Sequence, residues 1–189
     1  MRRLHLEKKG IRGLAIAESF RQDSEKSVLV GVIVLNDLVV DGFVLGNATI
    51  KGDDATDEII SMYQKLDRND ICYLMTSGIV ISLYNMVDVK KICDTISIPT
   101  IGVTYSDSGS LDDAIKSHFP DDYEKKLIQY KELGDREKVL LKSGNELFVR
   151  YEGCTLTECT QLLDRITPSG PTPEPLRIAH LLAKAVLIS

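Results

Sequence analysis

Three groups of side chains in this sequence are placed where a fold could bring them to bear on a ligand. Glu18 follows the apolar run Leu14-Ala15-Ile16-Ala17, and Asp53 and Asp54 stand together just before a helical pattern. Arg177 and His180 lie three residues apart in a second helical pattern and so share one helix face. Carboxylates gathered at one point capture a hard divalent cation, which takes oxygen ligands. Beside a phosphate such an ion activates water and neutralises the phosphoryl oxygens. Arg177 and His180 could meet a phosphate together, or they could tie a C-terminal helix to the proline-rich loop before it. Asp54 also has a structural use as a helix N-cap, and so do Asn85 and Asp88.

The elements that must position these residues can be read from periodicity. Residues 11–17 read as a short buried strand, 28–35 as a central β-branched strand, and 38–45 as its partner across the Asn36-Asp37 turn. A helical pattern over 55–66 carries Ile59, Ile60, Met62, Tyr63 and Leu66 at the right spacing, and is followed by a strand over 71–75. A helix is expected over 85–96, a strand over 99–105, short helices over 110–119 and 121–133, and a charged connection over 134–143. The remainder reads as a strand over 147–151, a helix over 156–166 opened by the capping box Thr155-x-x-Glu158, a proline-rich loop over 167–175, and a terminal helix over 176–187. Three antiparallel strands followed by alternating parallel βαβ units form a mixed α/β sheet of ribonuclease H-like order, in a single domain spanning 1–189.

Composition bounds the function. The chain has 189 residues, 43% hydrophobic and 27% charged, which suits an ordinary globular domain. Apolar runs are too short to span a membrane and no signal-peptide core follows Met1-Arg2-Arg3-Leu4, so a cytoplasmic protein without membrane contact is expected. A net charge of −5 argues against a broad electrostatic grip on nucleic acid. It leaves room for a local one: Arg2, Arg3, Lys8, Lys9 and Arg12 form a basic arm that is either solvated or in contact with phosphate. Neither GxGxxG nor GxxxxGK[ST] occurs. Cys72, Cys93, Cys154 and Cys159 make no CxxC pair, so no zinc site is expected; whether Cys154 and Cys159 pair is left open.

The stretch Ile98-Pro99-Thr100-Ile101-Gly102-Val103-Thr104-Tyr105 resembles a strand of endonuclease V that usually reads P-T-I-G-V-A-K. Ile50–Thr56, Ser77-Gly78-Ile79, Tyr84–Asp88 and Pro173-Glu174-Pro175-Leu176-Arg177-Ile178-Ala179-His180-Leu181 resemble an archaeal family of unknown function related to endonuclease V. The resemblance covers nearly the whole chain and implies an endonuclease V-like, ribonuclease H-like fold. It also implies phosphodiester cleavage near a deaminated base by a divalent metal held on carboxylates. The implied site is degenerate. The first acid position holds Ala17, the third holds Ser77, and the lysine position after the P-T-I-G-V strand holds Tyr105, while Asp54 matches the second acid. Glu18, Asp53 and Asp54 are the possible remnants.

Three functions stay open. The leading one is an endonuclease V relative that lacks metal-dependent cleavage, holds no metal, and retains recognition of single-stranded or structured nucleic acid or of a nucleotide. Asn85, Asp88, Arg177 and His180 are its candidate ligand contacts. The second is a scaffold with protein partners. The third is an active nuclease that uses Mg²⁺ on a rearranged site built from Glu18, Asp53 and Asp54.

Overall fold

The computed structural model describes residues 4, 6–7, 10–105, 111–120 and 122–188. Arg2, Arg3, Lys8 and Lys9 of the basic arm lie outside the described residues, as do the helix-opening positions Ser110 and Asp121. Strands β1 (Arg12–Ser19), β2 (Lys26–Leu35) and β3 (Val40–Thr49) form the antiparallel meander expected from the pattern. Helix α1 (Ala55–Lys65) leads to β4 (Ile71–Ser77), and α2 (Val89–Ile96) leads to β7 (Thr100–Thr104); β1, β4 and β7 pair in parallel. A small hairpin of β5 (Val80–Ile81) and β6 (Asn85–Met86) stands between β4 and α2. After α3 (Asp112–His118) and α4 (Tyr123–Glu132), β8 (Glu137–Leu140) and β9 (Glu146–Glu152) add antiparallel strands, and α5 (Leu156–Ile166) and α6 (Glu174–Ile188) finish the described chain. Among the described residues the main sheet has seven strands in the order β3-β2-β1-β4-β7-β9-β8.

Both faces of the sheet are covered, which is why its central strands are apolar without interruption. Leu14, Ile16 and Leu74 pack with Ile59, Met62 and Ile92 of α1 and α2. On the opposite face Ala15, Tyr73, Met75, Ile101 and Val103 pack with Leu162, Leu163 and Ile166 of α5, while Ala17 packs with Ala179 and Ala183 of α6. The strict two-residue alternation of a strand therefore sends Ala17 to the α6 face and Glu18 to the α1–α2 face.

Three expectations are corrected. The helix expected from residue 85 begins at Val89, because Asp88 caps it, accepting from the Lys91 N–H at 2.9 Å, while Asn85 and Met86 are drawn into the hairpin. The connection expected over 134–143 contains β8; of its residues only Val139 is buried, so charged neighbours hide the alternation. Helix α6 starts at Glu174, inside the expected loop, since Pro175 sits in the first turn where no N–H is needed.

Candidate functional site

The turn between β5 and β6 holds three consecutive left-handed residues with side chains. Ser82, Leu83 and Tyr84 all adopt positive φ, at 46°, 54° and 70°. A left-handed conformation costs a residue with a side chain about 1–2 kcal/mol, so three in a row persist only if the surroundings impose them. Glu18 does much of this. Its Oε1 accepts from the Ser82 N–H at 2.8 Å and its Oε2 accepts from the Ser82 hydroxyl at 2.6 Å. The Ser82 oxygen then meets the Ser27 hydroxyl at 2.7 Å, and the Lys51 N–H donates to the Ser82 carbonyl at 2.7 Å. From the far side the Lys126 ammonium donates to the Tyr84 carbonyl at 3.2 Å.

The other two acids are equally committed. The Asp54 carboxylate accepts from the Thr49 N–H at 2.9 Å, the Thr49 hydroxyl at 2.6 Å and the Asn85 amide at 2.6 Å. Asp54 is the N-cap residue of α1 by position only; the expected capping bond is absent, and Asn85 Oδ1 caps the helix by accepting from the Ala55 N–H at 3.0 Å. Burial pushes the Asp54 carboxyl up, but the bonds from Thr49 and Asn85 outweigh it and hold it below the usual range. Asp53 pairs with Lys126 at 2.5 Å and Lys125 at 3.2 Å. Burial raises its carboxyl, and the two ammonium groups bring it below the ordinary value. Lys126 is itself buried, and its ammonium also donates to the Gly52 carbonyl at 2.8 Å. Glu18, Asp53 and Asp54 thus each hold a separate joint of the same loop cluster. Among the described residues no three His, Cys, Asp or Glu side chains are grouped so that they could hold a metal ion.

The positions of the implied metal site offer no replacement ligands. Ala17 is buried on the α6 face, and β1 runs past it in unbroken register with Ala17 opposite Val30 and Glu18 opposite Leu29, so no bulge turns Glu18 to that side. The Ser77 hydroxyl lies 3.1 Å from the Tyr105 phenol. Burial pushes the Tyr105 phenol up, so it stays protonated and neutral where the resemblance implies a cation. A methyl group and a hydroxyl tied to a phenol supply no carboxylate at these two positions, the ligand type through which proteins usually hold Mg²⁺.

Of the candidate ligand contacts, Asn85 is fully buried, and its amide also donates to the Thr49 carbonyl at 2.9 Å, so both its donors and its carbonyl oxygen serve the loop cluster. Asp88 is the working N-cap of α2. On α6, Arg177 forks onto Glu174 at 2.6 and 2.7 Å. His180 Nδ1 donates to the Glu18 carbonyl at 3.1 Å, which fixes its proton on that nitrogen. Arg177 and His180 both remain exposed.

On the Glu18 face lies a cavity of about 350 Å³, bounded by Glu18, Phe20, the segment from Gly78 to Tyr84, Thr104, Leu111, Tyr130, Arg136 and Arg150. A second cavity of about 600 Å³ shares Tyr130, Arg136 and Arg150 with it. Phe20 and Tyr84 line the first cavity, and the Tyr105 phenol lies beside Ser77. Sequence reasoning missed Ser82, Tyr130, Arg136 and Arg150. The left-handed turn contains no Gly, Asn or Asp to announce it. Arg150 sits in an alternating strand where it reads as a solvent-facing charge.

Among the described residues no helix is long and apolar enough to cross a membrane. A UPF0215 protein of Pyrobaculum calidifontis is 30% identical over 174 residues, which cover 92% of this chain and 95% of that one. A protein of unknown function from Archaeoglobus fulgidus superposes with a TM-score of 0.80 at 26% identity, covering 95% of this chain and 99% of the other. Ciona intestinalis endonuclease V, in complex with a 24mer DNA containing inosine, superposes with a TM-score of 0.61 at 15% identity, covering 95% of this chain and 87% of its own; at that identity the likeness shows the fold alone. The family model described as Endonuclease dU matches residues 9–187, and the chain, with its endonuclease V-like mixed sheet, belongs to that family.

Proposed function

We propose that the protein recognises a nucleic acid or nucleotide in the cavity beneath the left-handed turn and does not cleave it by a metal-dependent route. One observation carries this reading. The three acids that could have rebuilt a metal site are spent on shaping the turn and its loop cluster, and Glu18 and the turn it holds line a cavity. Its lining suits a flat, apolar group with polar attachments: Phe20, Ile79, Ile81 and Leu83 offer apolar surface, and arginines stand at its rim. Spending strain and buried hydrogen bonds on the wall of a cavity is the usual mark of a binding site. The fold shared with an endonuclease V that holds inosine-containing DNA supports the same class of ligand.

The test has two halves. With Mg²⁺ or Mn²⁺, inosine- or deoxyuridine-containing DNA and RNA should remain intact, and product formation abolished by Asp54→Asn would overturn the non-catalytic half. At low salt, single-stranded or branched nucleic acid or a free nucleotide should bind, and absence of binding to all of them would overturn the other half. A second reading, a scaffold for protein partners, is favoured by the exposed apolar side chains Val40, Phe43 and Leu45 on the edge strand β3.

A further inference from the structure

We propose that Arg150 is the centre of an oxyanion site at the mouth of the cavity, and that it takes the phosphate of a nucleotide whose base enters the apolar part. The identification of the ligand as a nucleotide rests on the function proposed above; the anion site stands on its own geometry. Arg150 lies on β9 opposite Gly102 of β7, which places its side chain on the face occupied by Ile79 and Glu18. There it is only 8% exposed. A guanidinium removed from water to this extent ordinarily has a carboxylate partner. Here its Nε donates to the Gly134 carbonyl at 2.7 Å and its plane stands 5.6 Å from the centre of the Tyr130 ring. Among the described residues no carboxylate pairs with it. Its two Nη groups are the donors left to line the two cavities, which meet at this residue.

The surroundings reinforce the assignment. Arg136, 5.6 Å from the Phe148 ring, lines both cavities, and Lys131 lines the larger one, against the single acid Asp135 among the described residues of that lining. Two guanidinium groups thus stand where the apolar cavity adjoins the polar one. A planar guanidinium held by one N–H and one ring face is pre-oriented to offer a bidentate fork, which matches the spacing of phosphate oxygens. Glu18 lines the same cavity, but both its oxygens are engaged by Ser82 and it forms no ion pair with Arg150. The ligand that fits both halves has a flat apolar body joined to an oxyanion.

The experiment is calorimetric titration of the full chain with inosine, inosine 5′-monophosphate, an inosine-containing dinucleotide with an internal phosphodiester, and inorganic phosphate. The wild-type chain should bind the monophosphate about tenfold or more tightly than the nucleoside, the increment expected of one bidentate charge-assisted pair. Arg150→Gln should reduce that ratio to about one and Arg150→Lys should reduce it partway. If Arg150→Gln fails to fold, Arg150→Lys decides, since it keeps the charge and loses the fork. Equal affinity of the wild-type chain for nucleoside and monophosphate would overturn the anion site and leave the base cavity standing. Arg150-dependent binding of inorganic phosphate, with no binding of nucleoside or nucleotide, would uphold the anion site and overturn the nucleotide. An Arg150-dependent increment with the dinucleotide assigns the phosphate to a nucleic-acid chain, and with the monophosphate alone to a free nucleotide; both outcomes uphold the site.

Discussion

Asn85→Ala is the perturbation that most directly tests how the loop cluster is held. Asn85 is fully buried, and its amide makes three bonds: from the Ala55 N–H at 3.0 Å, to the Thr49 carbonyl at 2.9 Å and to Asp54 at 2.6 Å. Truncation removes all three and leaves a helix N–H, a carbonyl and a carboxylate short of a partner. A net bond contributes about 1 kcal/mol, and a buried group left without one costs about 1–3 kcal/mol, so a total of about 3–5 kcal/mol is expected. At roughly 2–4 °C per kcal/mol for a chain of this size, Tm should fall by roughly 6–20 °C. The internal control is Asp88→Ala, which removes one N-cap bond on the exposed start of α2 and should cost about 1 kcal/mol. Urea unfolding followed by circular dichroism gives both values from the midpoints. If Asn85→Ala costs no more than Asp88→Ala at an unchanged m value, the Asn85 amide does not hold the loop cluster together and Asp54 is not fixed through it.

A Cβ on Gly102 would overlap the side chain of Ile79, so Gly102→Ala should destabilise by about 1–3 kcal/mol. It should also weaken ligand binding by displacing a wall of the cavity, which the two measurements on one variant will show. The carboxyls of Asp54 and Asp53, and those of Asp41, held by Arg12 and Arg68, and Asp70, held mainly by Arg68, lie below their ordinary value of 3.8. A lowered folded-state pKa contributes stability that is present above the unfolded value and lost as pH falls through the folded one. Melting temperature should therefore be flat down to about pH 4 and fall below it, and a decline beginning well above pH 5 would contradict this. Cys154 and Cys159 are free thiols; burial pushes Cys154 up to about 12 and Cys159 higher still. Both should react slowly with iodoacetamide in the folded chain and rapidly after unfolding, as mass spectrometry of timed samples will show.

The order of elements was readable because it is written in local periodicity. The all-apolar run of β2 could only be a buried central strand, and the Thr155-x-x-Glu158 box forms as expected, the Glu158 N–H donating to Thr155 at 3.2 Å and the Thr155 N–H to Glu158 at 2.8 Å. Motif order likewise carried the family resemblance, including Ala17, Ser77 and Tyr105 where acids and a lysine were expected. What the sequence could not determine was which partner each polar group would find across the fold. Alternation says that Glu18 and Ala17 point to opposite faces, but only the packed sheet shows that both faces are covered and that the Glu18 side holds the cavity. Asn85 lies next to a helix in sequence and caps a different one, thirty residues away. The left-handed run from Ser82 to Tyr84 has no local signature, because its cause is a carboxylate on β1, a backbone N–H at Lys51 and an ammonium on α4. Residues at fixed spacing reveal helices and strands. A site assembled from side chains far apart in the chain exists only once long-range contacts have imposed conformations that no short segment would adopt alone.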